Sequence, residues 1–298
     1  MEPDEKNYWR GLFFLLLMMT VSCFNDIIVK FIGRRLDAFQ VIFFRFFFGL
    51  VTLLPFIISG GKRIFRTKRP VFNIVRGILG AAGFFLYTCS VIHLPLVEVV
   101  TIFWSVPIFV MLLSVRVLKE QIPVSRWAAA VIGFFGLSFI SVYDNGTSFS
   151  PKMIYIVPVA SCVLFAVQDV MIKKNADREN RITMLLYFAA VSSLVSLVPA
   201  ILVWKTPTPL EYLGLFLLGA GGNLIQYFIF KAFCFAELSS LSPYRYTEFL
   251  ISAAFAFLLF GEIPGANVLV GALVLIPSTL FLAYTEIRKT VRRRKRVT

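Results

Sequence analysis

Runs of about twenty apolar residues alternate along the chain with short polar, mostly basic stretches. The runs fall at 9–31, 38–60, 71–92, 94–117, 125–143, 151–172, 182–204, 209–235, 239–260 and 266–286. Each is close to the roughly 20 residues that cross about 30 Å of hydrocarbon at 1.5 Å per residue. Lipid offers no partner to a backbone N–H or C=O, so each run must bond within itself as a helix. The pattern therefore predicts an all-α integral membrane protein with ten transmembrane helices. Little polar sequence remains between the spans, and no soluble catalytic domain fits there.

Composition strengthens this reading: 58% of residues are hydrophobic and only 15% are charged, against about a quarter charged in soluble domains. Charge then gives orientation. With the N-terminus inside, the inner segments hold Lys6 and Arg10, the 62–69 loop, Arg116 to Arg126, Lys173 to Arg181 and the tail from Arg288 to Arg296; the outer segments hold only Arg34, Arg35, Lys152 and Lys205. Basic residues concentrate on the side that stays cytoplasmic, so both termini are expected there. The same distribution accounts for the net charge of +14. Positive charge spread over loops at one membrane face suits orientation and contact with anionic membrane lipid, and nucleic acid is not an expected partner. The acidic, polar first eight residues, with no small-residue cleavage site after the first span, argue against a cleaved signal peptide.

Polar groups inside the spans repeat. Asn25-Asp26-x-x-x-Lys30 recurs as Gln168-Asp169-x-x-x-Lys173, Gly80-Ala-Ala-Gly83 as Gly219-Ala-Gly-Gly222, and Leu118-Lys-Glu120-Gln-Ile-Pro123 as Phe260-Gly-Glu262-Ile-Pro264. A duplicated unit of five spans enters the second time from the opposite face, giving two inverted repeats, 1–148 and 149–287, followed by a basic cytoplasmic tail, 288–298. An intramembrane carboxylate is costly unless paired or facing water, so its repetition points to a polar passage between the halves. The glycines read first as close helix contacts. Pro107, Pro158, Pro199 and Pro277 are expected to kink their spans. The cysteines Cys23, Cys89, Cys162 and Cys234 all lie in spans without Cys-x-x-Cys spacing, and His93 is the only histidine. Neither a metal site nor any other cofactor is expected.

Ten spans in two five-span halves, Phe44-Arg45-Phe46 in the second span, and Glu120 and Glu262 closing the fourth and ninth resemble the drug/metabolite transporter superfamily of the EamA type, over essentially the whole chain. Asn25-Asp26, the run Phe43 to Phe48 and Pro243-Tyr244-Arg245-Tyr246-Thr247-Glu248 are similar to the S-adenosylmethionine carriers of obligate intracellular bacteria. The resemblance implies a multi-pass protein of the bacterial inner membrane that exchanges S-adenosylmethionine for S-adenosylhomocysteine. The spans permit proton coupling as well.

That substrate needs aromatic faces for its sulfonium and adenine, an Arg for its carboxylate and an acid for its amine. Candidate contacts are Asp26, Arg45, Phe103, Trp104, Asn223, Gln226, Tyr227, Tyr244, Arg245 and Glu248. Arg45 stands in an all-Phe run, roughly 10 Å below the outer surface. On one continuous helix Tyr244, Arg245 and Glu248 fall on neighbouring faces, and Arg245 with Glu248 could equally be a structural ion pair. Asp26 with Lys30, and Asp169 with Lys173, have the spacing of surface i,i+4 pairs. Phe103 and Trp104 belong to a chain with 33 Phe, where core or lipid contact is the simpler role. An amino acid or other zwitterion would use the same Arg and carboxylate. A membrane enzyme acting on lipid is the contrasting class; the chain has no Gly-x-Ser-x-Gly elbow or His-rich cluster. A compact carrier of this size is expected to work as a monomer.

Overall fold

The protein is described here by a computed structural model. It covers residues 3–33, 35–61, 64–93, 99, 102–145, 155–175 and 179–260, with isolated positions of the last span (273, 276, 277, 280, 281, 284). All regular structure among the described residues is helical: α1 (Pro3–Ile32), α2 (Ala38–Gly60), α3 (Pro70–His93), α4 (Val106–Leu113), α5 (Val124–Asn145), α6 (Ile156–Asn175), α7 (Arg181–Leu202), α8 (Pro209–Phe235), the short α9 (Leu238–Leu241) and α10 (Thr247–Phe260). Six of these, α1, α2, α3, α6, α7 and α8, are long and apolar enough to cross a membrane. Large apolar side chains such as Ile58, Leu194, Val198, Leu202 and Leu258 stand exposed on the outside. In water such a surface would be an aggregation hazard; against acyl chains it costs nothing. The tenth span, with Glu262, lies largely outside the described residues.

Two spans differ from the sequence pattern. The fourth is not continuous from 94 to 117: the chain turns at Trp104-Ser105, α4 starts at Val106, and a π-helical turn over Ser114–Leu118 ends it. Pro107 sits at the start of α4, where its missing N–H is one the helix leaves unbonded anyway, so it opens the helix and does not kink it. Pro158 likewise lies in the first turn of α6. The ninth span is not one helix from 239 to 260: between α9 and α10 the segment Ser242–Tyr246 winds as a 3-10 helix with Pro243 at its start. A 3-10 turn takes three residues, so side chains on either side of it no longer share an α-helical face.

The packing has a regular plan. α1 lies along α8, and α3 along α6; α2 packs on α8, and α3 on α7; α10 packs on α1, and α4 on α6; α2 also packs on α7. Exchanging α1 with α6, α2 with α7, α3 with α8 and α4 with α10 converts each contact into another in the same set and returns α2–α7 to itself. The repeated motifs make these joints. Asn25 Nδ2 donates to Leu218 O of α8 at 3.3 Å, and Gln168 Nε2 donates to Arg76 O of α3. Each amide faces the recurring glycine motif: a Cβ on Gly221 would strike Asn25, and one on Gly80 would strike Phe188 and crowd Gln168. Ser161 adds a bond to Gly83 O, 2.8 Å. Small residues let the backbones approach, and the buried amides then close on carbonyls that lipid would leave half satisfied.

The two helix breaks touch. Tyr246, almost fully buried, places its hydroxyl 3.0 Å from both Trp104 O and Ala130 O. Trp104 O is available because the Ile108 N–H that would close on it goes to Ser105 O. The Tyr246 ring fills the space beside Gly133. Tyr246→Phe is therefore expected to destabilise the fold by about 1–3 kcal/mol, the usual cost of a buried carbonyl left without its donor. A thermal melt of the purified protein checks this, and an unchanged midpoint would mean that the hydroxyl is not a clasp.

Candidate substrate-binding site

Asp26 on α1, Arg45 on α2, Tyr87 on α3 and Glu248 on α10 form one electrostatic cluster. Asp26 interacts with Arg45, Glu248 with Asp26, and Tyr87 with all three. Glu248 also accepts a hydrogen bond from Ser22. The α1–α8, α2–α8, α2–α3 and α1–α10 contacts bring these elements together. Arg45 has an unusual position. Its guanidinium lies over the Phe84 ring at 4.9 Å, and a Cβ on Gly222 would come within 3.4 Å of its Nε. Among the described residues it makes no ion pair at contact distance. It lines a small cavity with Phe84, Phe188, Gly222, Asn223 and Gln226. In this conformation the cavity has room for water but not for a metabolite, so a ligand at Arg45 requires the helices to part.

A second cluster stands on α6, α3 and the 3-10 segment. Arg245 Nη1 is 2.7 Å from Asp169 Oδ2, and Asp169 also interacts with Arg76. Arg76 is 1% exposed. It donates to Met184 O (3.2 Å) and to Gln226 Oε1 (2.7 Å) and is sandwiched by Phe188 and Phe230, 4.6 and 5.1 Å from the ring centroids.

This geometry corrects the spacing arguments. Arg245 takes Asp169, not Glu248, as its contact partner, because the 3-10 stretch turns it off the face that carries Glu248. Tyr244 does not share that face either: it is buried with its hydroxyl 2.8 Å from that of Tyr8. Asp169 and Lys173 do not pair; Lys173 Nζ donates to Phe233 O and Ala236 O, closing the last turn of α8. The side chain of Lys30, the proposed partner of Asp26, lies outside the described residues.

The remaining candidates are dispersed around the two clusters. Phe103 packs edge-on against Tyr87, 4.7 Å between centroids, and beside Phe165, so it belongs to the wall of the first cluster. Trp104 faces Phe249 and Tyr246 at the helix breaks. Asn223 spends its amide on Gly49 O (2.6 Å) and Thr52 Oγ1 (2.8 Å), tying α8 to α2 at the edge of the cavity. Gln226 holds Arg76, and Tyr227 packs against Phe228 and under Lys231. Sequence reasoning singled out neither Arg76 nor Tyr87. The available signal for Arg76 was its position one turn before Gly80 in the duplicated glycine motif.

Beyond the clusters the loops are tied at both ends of the bundle. Arg35 forks onto Glu211, with Nε to Oε1 at 2.7 Å, and reaches Thr206 O. Glu120, thrown across by the left-handed Lys119 (φ 57°), accepts from Leu238 N (3.1 Å) and Ser239 N (3.0 Å), while Arg126 pairs with Glu237.

A bundle with paired packing and intramembrane charges at its centre has a matching family. The model described as EamA-like transporter family matches residues 9–142 and again 152–284. The chain belongs to this family. A relative from Rickettsia bellii, named S-adenosylmethionine uptake transporter, is 39% identical over 96% of this chain and 97% of its own length. A pseudopaline exporter, CntI, from Pseudomonas aeruginosa is 27% identical over 91% of this chain and 95% of its own. A solved crystal structure shares the fold with a TM-score of 0.80, 18% identity, 95% of this chain and 98% of that chain. This EamA protein is a transporter and not an enzyme, with several helices crossing a bacterial inner membrane.

Proposed function

We propose that the protein carries S-adenosylmethionine across the inner membrane in exchange for S-adenosylhomocysteine. The halves 1–148 and 149–287 act as inverted five-helix repeats, with both termini cytoplasmic, and alternate access to a site between them. The observation that carries this reading is the state of Arg45: a guanidinium inside the bundle, stacked on Phe84, with no contact counter-ion among the described residues and with Asp26, itself beside Glu248, nearby. An Arg at membrane depth without a contact ion pair is expensive, and a ligand carboxylate would supply that contact. A substrate carboxylate would take Arg45, an ammonium would lie between Asp26 and Glu248, and Tyr87, Phe103 and Phe84 would offer ring faces to the sulfonium and the base. The similarity to the Rickettsia transporter supports this substrate, and the interchangeable helix contacts support the repeat. The protein works as a monomer in this scheme, and the basic tail 288–298 lies against anionic lipid.

Proteoliposomes containing the protein test the reading. Uptake of labelled S-adenosylmethionine should be inhibited by S-adenosylhomocysteine and little affected by methionine or adenosine, and preloading with S-adenosylhomocysteine should accelerate it. Inhibition by amino acids alone would move the assignment to a carrier of amino acids or similar zwitterions. Dependence on an imposed pH gradient without stimulation by the preloaded compound would replace exchange by proton coupling.

A further inference from the structure

Arg245 and Glu248 are three residues apart, the spacing at which an unbroken helix would let them neutralise each other. Two features keep them apart: the 3-10 stretch carries Arg245 off the α-helical face, and Asp169 of α6 holds its guanidinium at 2.7 Å. We infer that Asp169 sets the charge preference of the site: by helping to keep Arg245 off Glu248 it leaves Glu248 available together with Asp26, the carboxylate beside Arg45, so the site favours a net cation over a net-neutral solute of the same shape. The inference rests on the S-adenosylmethionine reading and adds a positioning residue outside the cluster that would touch the substrate.

The charges give the direction. With all three groups ionised, Asp26, Glu248 and Arg45 sum to one excess negative charge. S-Adenosylmethionine, with its sulfonium, carries one net positive charge, and S-adenosylhomocysteine, which lacks it, carries none. The excess positive charge of the Asp169 cluster resides on Arg76, which is held by Met184 O, Gln226 and two aromatic faces. If Asp169 lost its charge, the nearest carboxylate left to Arg245 would be Glu248, with which it already interacts. The pair that formed would occupy the group that should meet the cation.

The test is equilibrium binding of labelled S-adenosylmethionine and S-adenosylhomocysteine to the purified full-length protein. Wild type should bind the methylated compound more tightly. Asp169→Asn should weaken S-adenosylmethionine by about tenfold or more and S-adenosylhomocysteine by less than about threefold, because only one ligand brings the extra charge. Asp169→Glu should restore the preference. If Asp169→Asn yields no monodisperse protein, the double variant Asp169→Asn, Arg245→Gln carries the test: with both charges gone Glu248 stays free, and the cation preference should persist. An unchanged ratio in Asp169→Asn, equal weakening of both ligands, or a lost preference in the double variant overturns the inference alone. A wild type that binds neither compound overturns the substrate reading, and the inference with it.

Discussion

Arg45→Ala should reduce S-adenosylmethionine uptake about thirtyfold or more while the protein still folds. Truncating one partner of a desolvated charge pair costs roughly 2–5 kcal/mol, and each 1.4 kcal/mol is a factor of ten. Here the partner is the substrate carboxylate, so the loss falls on transport. Stability should suffer little, because within the protein Arg45 has a ring face, the interaction with Asp26 and the shallow surface of Gly222, but no contact ion pair to break among the described residues. Arg45→Lys should fall between wild type and alanine, since an ammonium keeps the charge but loses both the flat stack on Phe84 and the two-pronged grip on a carboxylate. Uptake per mole of protein in proteoliposomes, beside a melting curve, separates the two effects. Uptake by Arg45→Ala at the wild-type rate would remove Arg45 from the site.

Gly219→Val should cost the fold about 3 kcal/mol or more and leave little monodisperse protein. At Gly219 the α8 backbone meets that of α2: a Cβ would lie 2.7 Å from Gly49 N and from Phe48 Cβ, and 2.8 Å from Phe48 C. Two of these are backbone atoms in mid-helix, so relief requires α2 to move as a body, and overpacking of this kind typically costs 1–3 kcal/mol per small insertion, sometimes more. The displacement would also pull Gly49 O and Thr52 from Asn223. Gly83→Ala, in the corresponding motif of the first half, is the control: its new methyl would meet Leu164 Cβ at 3.5 Å, an ordinary contact, and should be tolerated. Size-exclusion profiles and melting midpoints of the pair check the contrast. Equal stability would mean that α8 and α2 do not approach this closely in the membrane.

Much of the architecture was legible because its causes act along the chain. The lengths of α1, α2, α3, α6, α7 and α8 follow from the thickness of hydrocarbon and from the backbone's need for internal hydrogen bonds. The duplicated glycine motifs, read as close helix contacts, lie where α1 meets α8 and α6 meets α3, whereas the sequence did not show that Asn25 and Gln168 bond across those joints. The glycine reading as close packing agrees with what a Cβ would meet at Gly80, Gly219 and Gly221. The breaks in the fourth and ninth spans were less visible. Pro107 and Pro243 are local signals, but whether a proline kinks a helix or starts one depends on whether the chain before it is helical, and at Trp104-Ser105 that is decided partly by Tyr246 from the other half.

Sequence alone determined that this chain is an all-helical transporter of the membrane and that charged side chains stand inside it, because hydropathy and helical length are properties of consecutive residues. It could not choose their partners. Spacing offered Glu248 to Arg245 and Lys173 to Asp169, whereas the tertiary structure joined Arg245 to Asp169, sent Lys173 to the end of α8, buried Arg76 between two rings and set Arg45 on Phe84 within reach of the charge of Asp26. Electrostatic pairing depends on distance through space, and in a bundle that distance is set by which helices pack together, not by separation along the chain.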